Sequence, residues 1–364
     1  MKIGVLFGGR SYEHDISVIT AAQVAAALEG WAEVYPIYAN EGCFYLLKGG
    51  IDIKDFASGR VKKRRAHFDK RKGKGVLAVW GRKIVLDCVV LCCHGGEGED
   101  GRFSALLDVY DIPYTASAHL ASAVTMDKRY TKTLCLHHLI PTAEGVVGKR
   151  GEDVIERAKS LNYPLIVKPA RLGSSIGISV AHDESELIGA VALAFAFDKD
   201  VVVEEMIPNA MELNCAAFRE EDDVVVGGVE NPVSWHEFLT FGEKYEGGKY
   251  KSGSKSIVRG ELAERVRSLT KRVYEDFELD GVVRVDYLYC EANDTIYLNE
   301  INSQPGSFAY YLFEEVGIGF PELLMRVIAQ SIHKAEGKDI ISFNSRVLEN
   351  LSVSCQKASR NCCK

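Results

Sequence analysis

The chain opens on an apolar run, Lys2 to Phe7, that stops at Gly8-Gly9. An alanine-rich stretch from Ser17 to Leu28 has the spacing of a helix, and Val34 to Ala39 is apolar again, so the pattern predicts a βαβ opening. Ile84 to Cys93 is a continuous β-branched and cysteine run, as expected of one parallel strand buried on both faces, and it ends at His94-Gly95-Gly96-Glu97-Gly98. Residues 1–120 are therefore expected to form a small doubly wound α/β domain. Between its strands, Lys62-Lys63-Arg64-Arg65 and Lys70-Arg71-Lys72 interrupt the apolar pattern and read as a solvated loop, because the aromatic interleaving of a nucleic-acid surface is missing.

From Met126 the rhythm changes to α+β. A helix is expected over Asp127 to Leu139, then short strands over Leu165 to Pro169 and Ile176 to Ala181, and a strand over Val201 to Ile207. Residues 121–205 are read as a central subdomain. Residues 206–340 form a C-terminal subdomain, with strands Leu213 to Phe218 and Val224 to Val229 and an amphipathic helix Glu261 to Leu279. Paired strands Val282 to Tyr289 and Thr295 to Ile301 and a last helix Phe320 to Ala335 complete it. Residues 341–364 are a cysteine-containing tail.

Composition narrows the function. The 364 residues are 47% hydrophobic and 26% charged with a net charge of −7, which supplies no global attraction to nucleic acid or anionic lipid. Met1 runs into the first strand without a secretory signal, and no apolar run reaches membrane-spanning length, so a cytoplasmic chain is expected. Cys88, Cys92, Cys93, Cys135, Cys215 and Cys290 lie in apolar segments and read as free buried thiols.

The chemistry concentrates in two places. Strand alternation puts Asp286, Glu300 and Asn302 on one face of paired strands, a hard oxygen set suited to Mg²⁺. Arg284 shares that face and could neutralise a developing oxyanion. Upstream, Lys128 opens a helix and Lys168 ends a β-branched strand shortly before Gly173-Ser174-Ser175-Ile176-Gly177, whose glycines would let backbone N–H groups approach phosphate. Neither a P-loop nor a dinucleotide fingerprint is present, which excludes a nicotinamide oxidoreductase on the first βαβ unit.

In order, the chain carries G-G-R-S-x-E-H-D-I-S, H-G-x-x-G-E-D-G, P-Y-T-x-S, M-D-K, V-K-P-x-x-x-G-S-S-x-G, V-E-E, E-K-Y, R-V-D and E-I-N-x-x-P-G. In this series it resembles the D-alanine–D-alanine ligases of the ATP-grasp superfamily from Lys2 to about residue 335. The resemblance implies an ATP-grasp fold, ATP with Mg²⁺ or Mn²⁺, amino-acid substrates, a homodimer, and D-alanyl-D-alanine made through an acyl phosphate for peptidoglycan. It implies that Lys128, Lys168 and Lys244 serve the nucleotide, that Glu204, Glu205 and Ile207 read adenine, and that Glu212 reads the ribose. Asp286, Glu300 and Asn302 would hold the metal. Glu13 would take the first amino acid's ammonium with His94 nearby, Ser174 and Tyr245 would join Glu13 in a hydrogen-bonded group, and Arg284 and the Gly306 backbone would face the reacting carboxylate. A loop around Lys244-Tyr245 would close over the site.

Three segments depart from the family pattern. They are the stretch after Tyr245, Ala116-Ser117-Ala118-His119, and Tyr311, which stands where a small hydroxyl residue commonly binds the second amino acid. The open alternatives are another acceptor, such as D-serine or a hydroxy acid, and a non-catalytic nucleotide-binding protein.

Overall fold

A computed structural model describes residues 1–232 and 256–336. Lys244, Tyr245, the loop expected around them and the tail 341–364 lie outside the described residues.

The first sheet contains β1 (Lys2–Gly8), β2 (Glu33–Asn40), β3 (Cys43–Leu47), β4 (Lys63–Arg71), β5 (Lys74–Val79), β6 (Arg82–Val85) and β7 (Cys88–Leu91), in the order β6-β5-β4-β3-β2-β1-β7. Only β2-β1-β7 are parallel, giving the expected βαβ core; β3 to β6 extend it as antiparallel hairpins. Helix α1 (His14–Ala27) covers one face, burying Val18, Ala21 and Val24 against Ile3, Val5 and Phe7. Phe103 and Leu107 fill the other.

Two expectations are corrected here. The basic segment is strand β4 rather than a loop: Ala66 and Phe68 point inward between exposed Arg65, His67 and Lys70. Arg71 pairs with Lys74 across a two-residue turn, Lys72-Gly73, with φ of 48° and 76°, the backbone of a tight hairpin. The charges hid a period-two strand because they occupy its solvent face.

The run Ile84 to Cys93, in turn, is two strands. β6 and β7 belong to opposite ends of the sheet with only Leu86-Asp87 between them, so the sheet curls back at this corner. Asp87 holds the break, its carboxylate accepting from the Lys2 amide at 2.7 Å and its own amide donating to the Lys2 carbonyl at 2.9 Å.

The second sheet has the order β10-β9-β11-β8, from β8 (Gly145–Lys149), β9 (Leu165–Pro169), β10 (Ser179–Ala181) and β11 (Asp200–Glu205). Leu165, Val167, Val201 and Val203 pack with Val154, Leu187 and Val191 of covering helices. Alternation then turns Lys168 and Glu204 to the other face.

The third sheet, β14-β13-β12-β15-β16, is antiparallel and comprises β12 (Met211–Glu220), β13 (Asp223–Asn231), β14 (Ser256–Val258), β15 (Val283–Cys290) and β16 (Thr295–Asn302). The helix Glu261–Asp276 lays Ala263, Val266, Thr270 and Val273, a 3.6-residue stripe, on Val283, Val285 and Tyr287. The opposite faces of the second and third sheets look into one cleft.

Among the described residues, the cysteines are free thiols and no helix is long and apolar enough to cross a membrane.

Candidate active site

The ladder of β15 and β16 places Asp286 directly opposite Glu300 and Arg284 opposite Asn302. Asn299 is an unpaired bulge residue, since Asp286 faces Glu300 while Tyr287 faces Leu298. The bulge turns Asn299 and Glu300 both toward the cleft, while Leu298 and Ile301 stay in the core. Arg284 grips Asp286 with Nε at 2.6 Å from Oδ1 and Nη2 at 2.7 Å from Oδ2, and the Asn302 amide donates to Asp286 Oδ2 at 3.0 Å.

Across the cleft, buried Lys168 donates to Glu204 Oε2 at 2.6 Å and to Asn299 Oδ1 at 3.0 Å. Lys132, on the helix Lys128–His137, meets the other Glu204 oxygen at 3.0 Å. Burial alone would raise the Glu204 carboxyl, but the two ammonium groups hold it at about 2, an ionised buried group with paired charges. Lys128 donates to the Leu172 carbonyl at 2.7 Å and lies 3.9 Å from Glu300 Oε2. Burial lowers its ammonium below the usual range, with Glu300 opposing and Lys168 adding to the fall.

A network of arginines and aspartates fixes the loop that carries Gly173. Asp127 caps the helix of Lys128 and accepts from Arg129 Nε at 2.8 Å, while Arg129 and Arg171 each reach Asp200 at 2.8 Å. The Lys128 amide donates to the Ala170 carbonyl at 3.0 Å. Left-handed backbone in this loop falls on Ser174, Ser175 and Gly177. Gly177 answers to packing, since a Cβ there would lie 2.7 Å from Phe197 and 2.9 Å from Pro169.

The loop's Ser174 hydroxyl donates to Glu13 Oε1, joining residues 161 positions apart. Glu13 sits at the start of α1, and its loop is held by Arg10, whose amide donates to Glu97 at 3.1 Å. Gly95 makes the approach possible: its φ is +62°, and a Cβ would fall 2.4 Å from Ser11 Oγ and 2.7 Å from Glu13 Oε2.

His94 is buried and spent on the protein. Its Nδ1 lies 2.7 Å from the Gln304 carbonyl and therefore carries the proton; Nε2, 2.8 Å from Thr20 Oγ1, then accepts from that hydroxyl. Burial lowers its imidazolium to about 4, against the pull of the Gln304 carbonyl. An unfolded histidine protonates near ~6.5, so between that value and about 4 the unfolded chain binds the extra proton and stability rises with pH. Urea titrations are expected to show a loss on the order of 3 kcal/mol as pH falls through this window, smaller in His94→Gln. Parallel pH profiles for the two proteins would remove His94 as the cause.

Gly306 opens a short turn in which Ser307, Phe308 and Ala309 all have left-handed φ, at 50°, 57° and 43°. Such backbone in non-glycine residues costs on the order of 1 kcal/mol apiece. Tyr311 follows, half-buried, its hydroxyl donating at 2.6 Å to Glu230, a buried carboxylate on β13. Its ring lies 6.3 Å from that of Tyr310 and packs on the apolar cluster of Phe218 and Phe313, which is the packing expected of a core aromatic.

Other expected residues stand apart. β11 is an internal strand, paired with β8 on one side and β9 on the other, so Glu204 and Glu205 do not form the strand edge expected over Glu204 to Ile207. Glu205 turns from Glu204 to accept from the Asn162 amide at 2.8 Å. Glu212 lies on β12 opposite Leu288. The departure at Ala116 to His119 is a seam: Ser117 donates to the Asp280 carbonyl at 2.9 Å and Ala116 bridges Gly281.

Sequence reasoning missed Lys132, Asn299 and Glu99. Lys132 follows Lys128 by one helical turn, a spacing that could have revealed it. Glu99 lines the cleft with Lys128, Leu172, Glu300 and Asn302. Its carboxyl is pushed well above the usual range by burial and by Glu13 and Glu300, with the Gly95 backbone and Arg284 opposing.

Comparison with known proteins gives the arrangement a lineage. Residues 2–117 match the profile of the D-ala D-ala ligase N-terminus and residues 139–329 that of the D-ala D-ala ligase C-terminus. The chain belongs to the D-alanine–D-alanine ligase family. It is 34% identical over 364 residues to the D-alanine–D-alanine ligase of Thermosipho melanesiensis, covering 96% of this chain and 98% of the relative. Identity to that of Campylobacter lari is 37% over 317 residues, covering 86% of this chain and 90% of the relative. Two similar solved structures are the D-alanine–D-alanine ligase of Helicobacter pylori and the VanG D-Ala:D-Ser ligase of Enterococcus faecalis. The first has a TM-score of 0.73 at 28% identity, covering 90% of this chain and 98% of the other. The second has a TM-score of 0.79 at 28% identity, covering 91% and 99%. As a member of this ligase family, the chain is an ATP-grasp enzyme of the ATP-dependent D-alanine ligase type.

Proposed function

We propose that the enzyme joins D-alanine to a second D-alanine, supplying the dipeptide for cell-wall precursors from the cytoplasm. The observation that carries this reading is the meeting of Glu13 and Ser174 beside a cleft lined by Lys128, Lys132, Glu300 and Asn302, with Lys168 bonded to Asn299 and Arg284 opposite Asn302. A carboxylate is a poor electrophile, so the reaction first moves a phosphoryl group from ATP to the donor carboxylate; the acceptor amine then forms the peptide bond and phosphate leaves. The protein's part is positioning and charge.

In this reading Glu13 holds the donor ammonium, and Arg284 with the Gly306 amide holds the donor carboxylate. Lys128 and Lys168 face nucleotide phosphates, with adenine near Ile207 and the ribose near Glu212. Asp286, Glu300 and Asn302 would hold Mg²⁺ or Mn²⁺, which draws charge from the transferring phosphoryl oxygens. The side chains fit such an ion, since two carboxylates and one amide offer hard oxygens on neighbouring positions of the paired strands, and phosphate oxygens would complete the shell. Lys244 and Tyr245 keep the nucleotide and lid roles implied by resemblance. The experiment is a product screen by mass spectrometry with ATP, Mg²⁺, D-alanine and a panel of second substrates. Absence of any D-alanyl product, with phosphate release no higher than background, would sink the reading.

A second reading, D-serine as acceptor, rests on Tyr311. Its hydroxyl is committed to Glu230, so the side chain would shape the acceptor pocket by bulk. Tyr311→Ser is expected to shift the ratio of D-alanyl-D-alanine to D-alanyl-D-serine in a competition assay, by about 10-fold for a changed pocket volume. Equal ratios in both proteins would leave Tyr311 out of acceptor choice.

A further inference from the structure

The turn from Gln304 to Ala309 is held in an unfavourable backbone conformation by groups that come from far along the chain. The Ser307 amide donates to Thr20 Oγ1 at 3.2 Å, the Thr20 hydroxyl donates to His94 Nε2 at 2.8 Å, and His94 Nδ1–H donates to the Gln304 carbonyl at 2.7 Å. The loop is closed. It leaves the turn at Ser307, runs through α1 and the end of the first sheet, and re-enters the turn at Gln304. Ser307 Oγ adds a second tie to α1 by donating to Gln23 Oε1 at 2.6 Å, and Phe308 and Ala309 anchor the turn in the core.

Thr20 lies on the same helix that Glu13 begins. The loop therefore connects the residue proposed for the donor's ammonium to the turn proposed for its carboxylate. We propose that Thr20 and His94 are positioning residues, a hydrogen-bonded clamp that fixes the Gly306 amide relative to Glu13 so that the two ends of the donor amino acid are gripped at a set separation. Neither residue touches substrate in this role: both His94 nitrogens face protein partners, and Thr20 is buried. The inference rests on the functional reading above for what the clamp serves, while the clamp itself stands on this geometry.

A β-branched apolar replacement of similar shape removes the relay and keeps the volume. Thr20→Val is expected to reduce kcat on the order of 10²-fold, as for a displacement of about 1 Å at the reacting group. The KM for D-alanine should rise, while affinity for ATP, measured by nucleotide binding in the absence of amino acid, stays within about 2-fold, because the lysines of the other sheet are untouched. Hydrogen exchange across residues 303–311 should speed up in Thr20→Val, since the Ser307 amide loses its acceptor. Thr20→Ser, which restores the hydroxyl, should recover both the kinetics and the exchange protection. Exchange and kcat in Thr20→Val equal to wild type would overturn the clamp, and so would a Thr20→Ser protein as impaired as Thr20→Val. If the wild type forms no dipeptide, the functional reading falls alone, and the exchange of Thr20→Val and Thr20→Ser still decides whether the clamp exists.

Discussion

Arg284→Lys is expected to lower kcat on the order of 10²-fold while the protein remains folded. Two of the guanidinium's five donors are fixed on the two oxygens of Asp286, at 2.6 and 2.7 Å. A lysine would keep the positive charge but offer a point in place of a fork, so Asp286 and the reacting carboxylate would compete for one ammonium. In its proposed role the loss should fall on kcat more than on the affinity for ATP, because such an interaction would strengthen as negative charge develops on the tetrahedral carbon's oxygen. Steady-state kinetics together with a thermal unfolding curve check this. A wild-type kcat in the variant would make Arg284 a structural partner of Asp286 and nothing more.

Glu300→Gln should be comparably damaging, on the order of 10²-fold in turnover, since a carboxylate near a divalent cation supplies several kcal/mol that a neutral amide does not. The substitution is nearly isosteric, and the neighbouring Leu298 and Ile301 keep the strand in the core. Its signature is a steeper requirement for metal: the Mg²⁺ concentration for half-maximal activity should rise along with the fall in turnover. An unchanged rate and an unchanged metal curve would end the assignment of Glu300 as a ligand.

Much of this was readable in the sequence because it depends on neighbours along the chain. The alternation that turns Arg284 and Asp286 to the face opposite buried Val283 and Val285 is a local property of a strand. The helix beginning at Lys128 is announced by Asp127, whose side chain caps it. What escaped depends on distance or on a broken period. Lys62 to Lys74 looked like a loop because its charges outnumber the inward Ala66 and Phe68. Ile84 to Cys93 looked like one strand because apolar character does not report that Asp87 turns the chain across the sheet. The contacts Lys132–Glu204 and Thr20–His94 join segments that only the tertiary fold brings together. His94 itself was anticipated beside the donor, and the structure puts both of its nitrogens to work on the scaffold.

The bulge at Asn299 divides β16 into two halves of opposite parity. Before it, the even-numbered positions Ile296 and Leu298 are buried and the odd-numbered ones are not; after it, the odd-numbered Ile301 is buried and the even-numbered Glu300 and Asn302 line the cleft. One added residue thus acts as a phase shift in the code by which the strand separates stability from reactivity. A lineage could change its cleft-facing residues on one side of that shift without renegotiating the core on the other, but a single deletion at the shift would remove Asn299 as the acceptor of Lys168 while leaving a smoothly alternating strand that looks, from its hydrophobic pattern, better formed than the original.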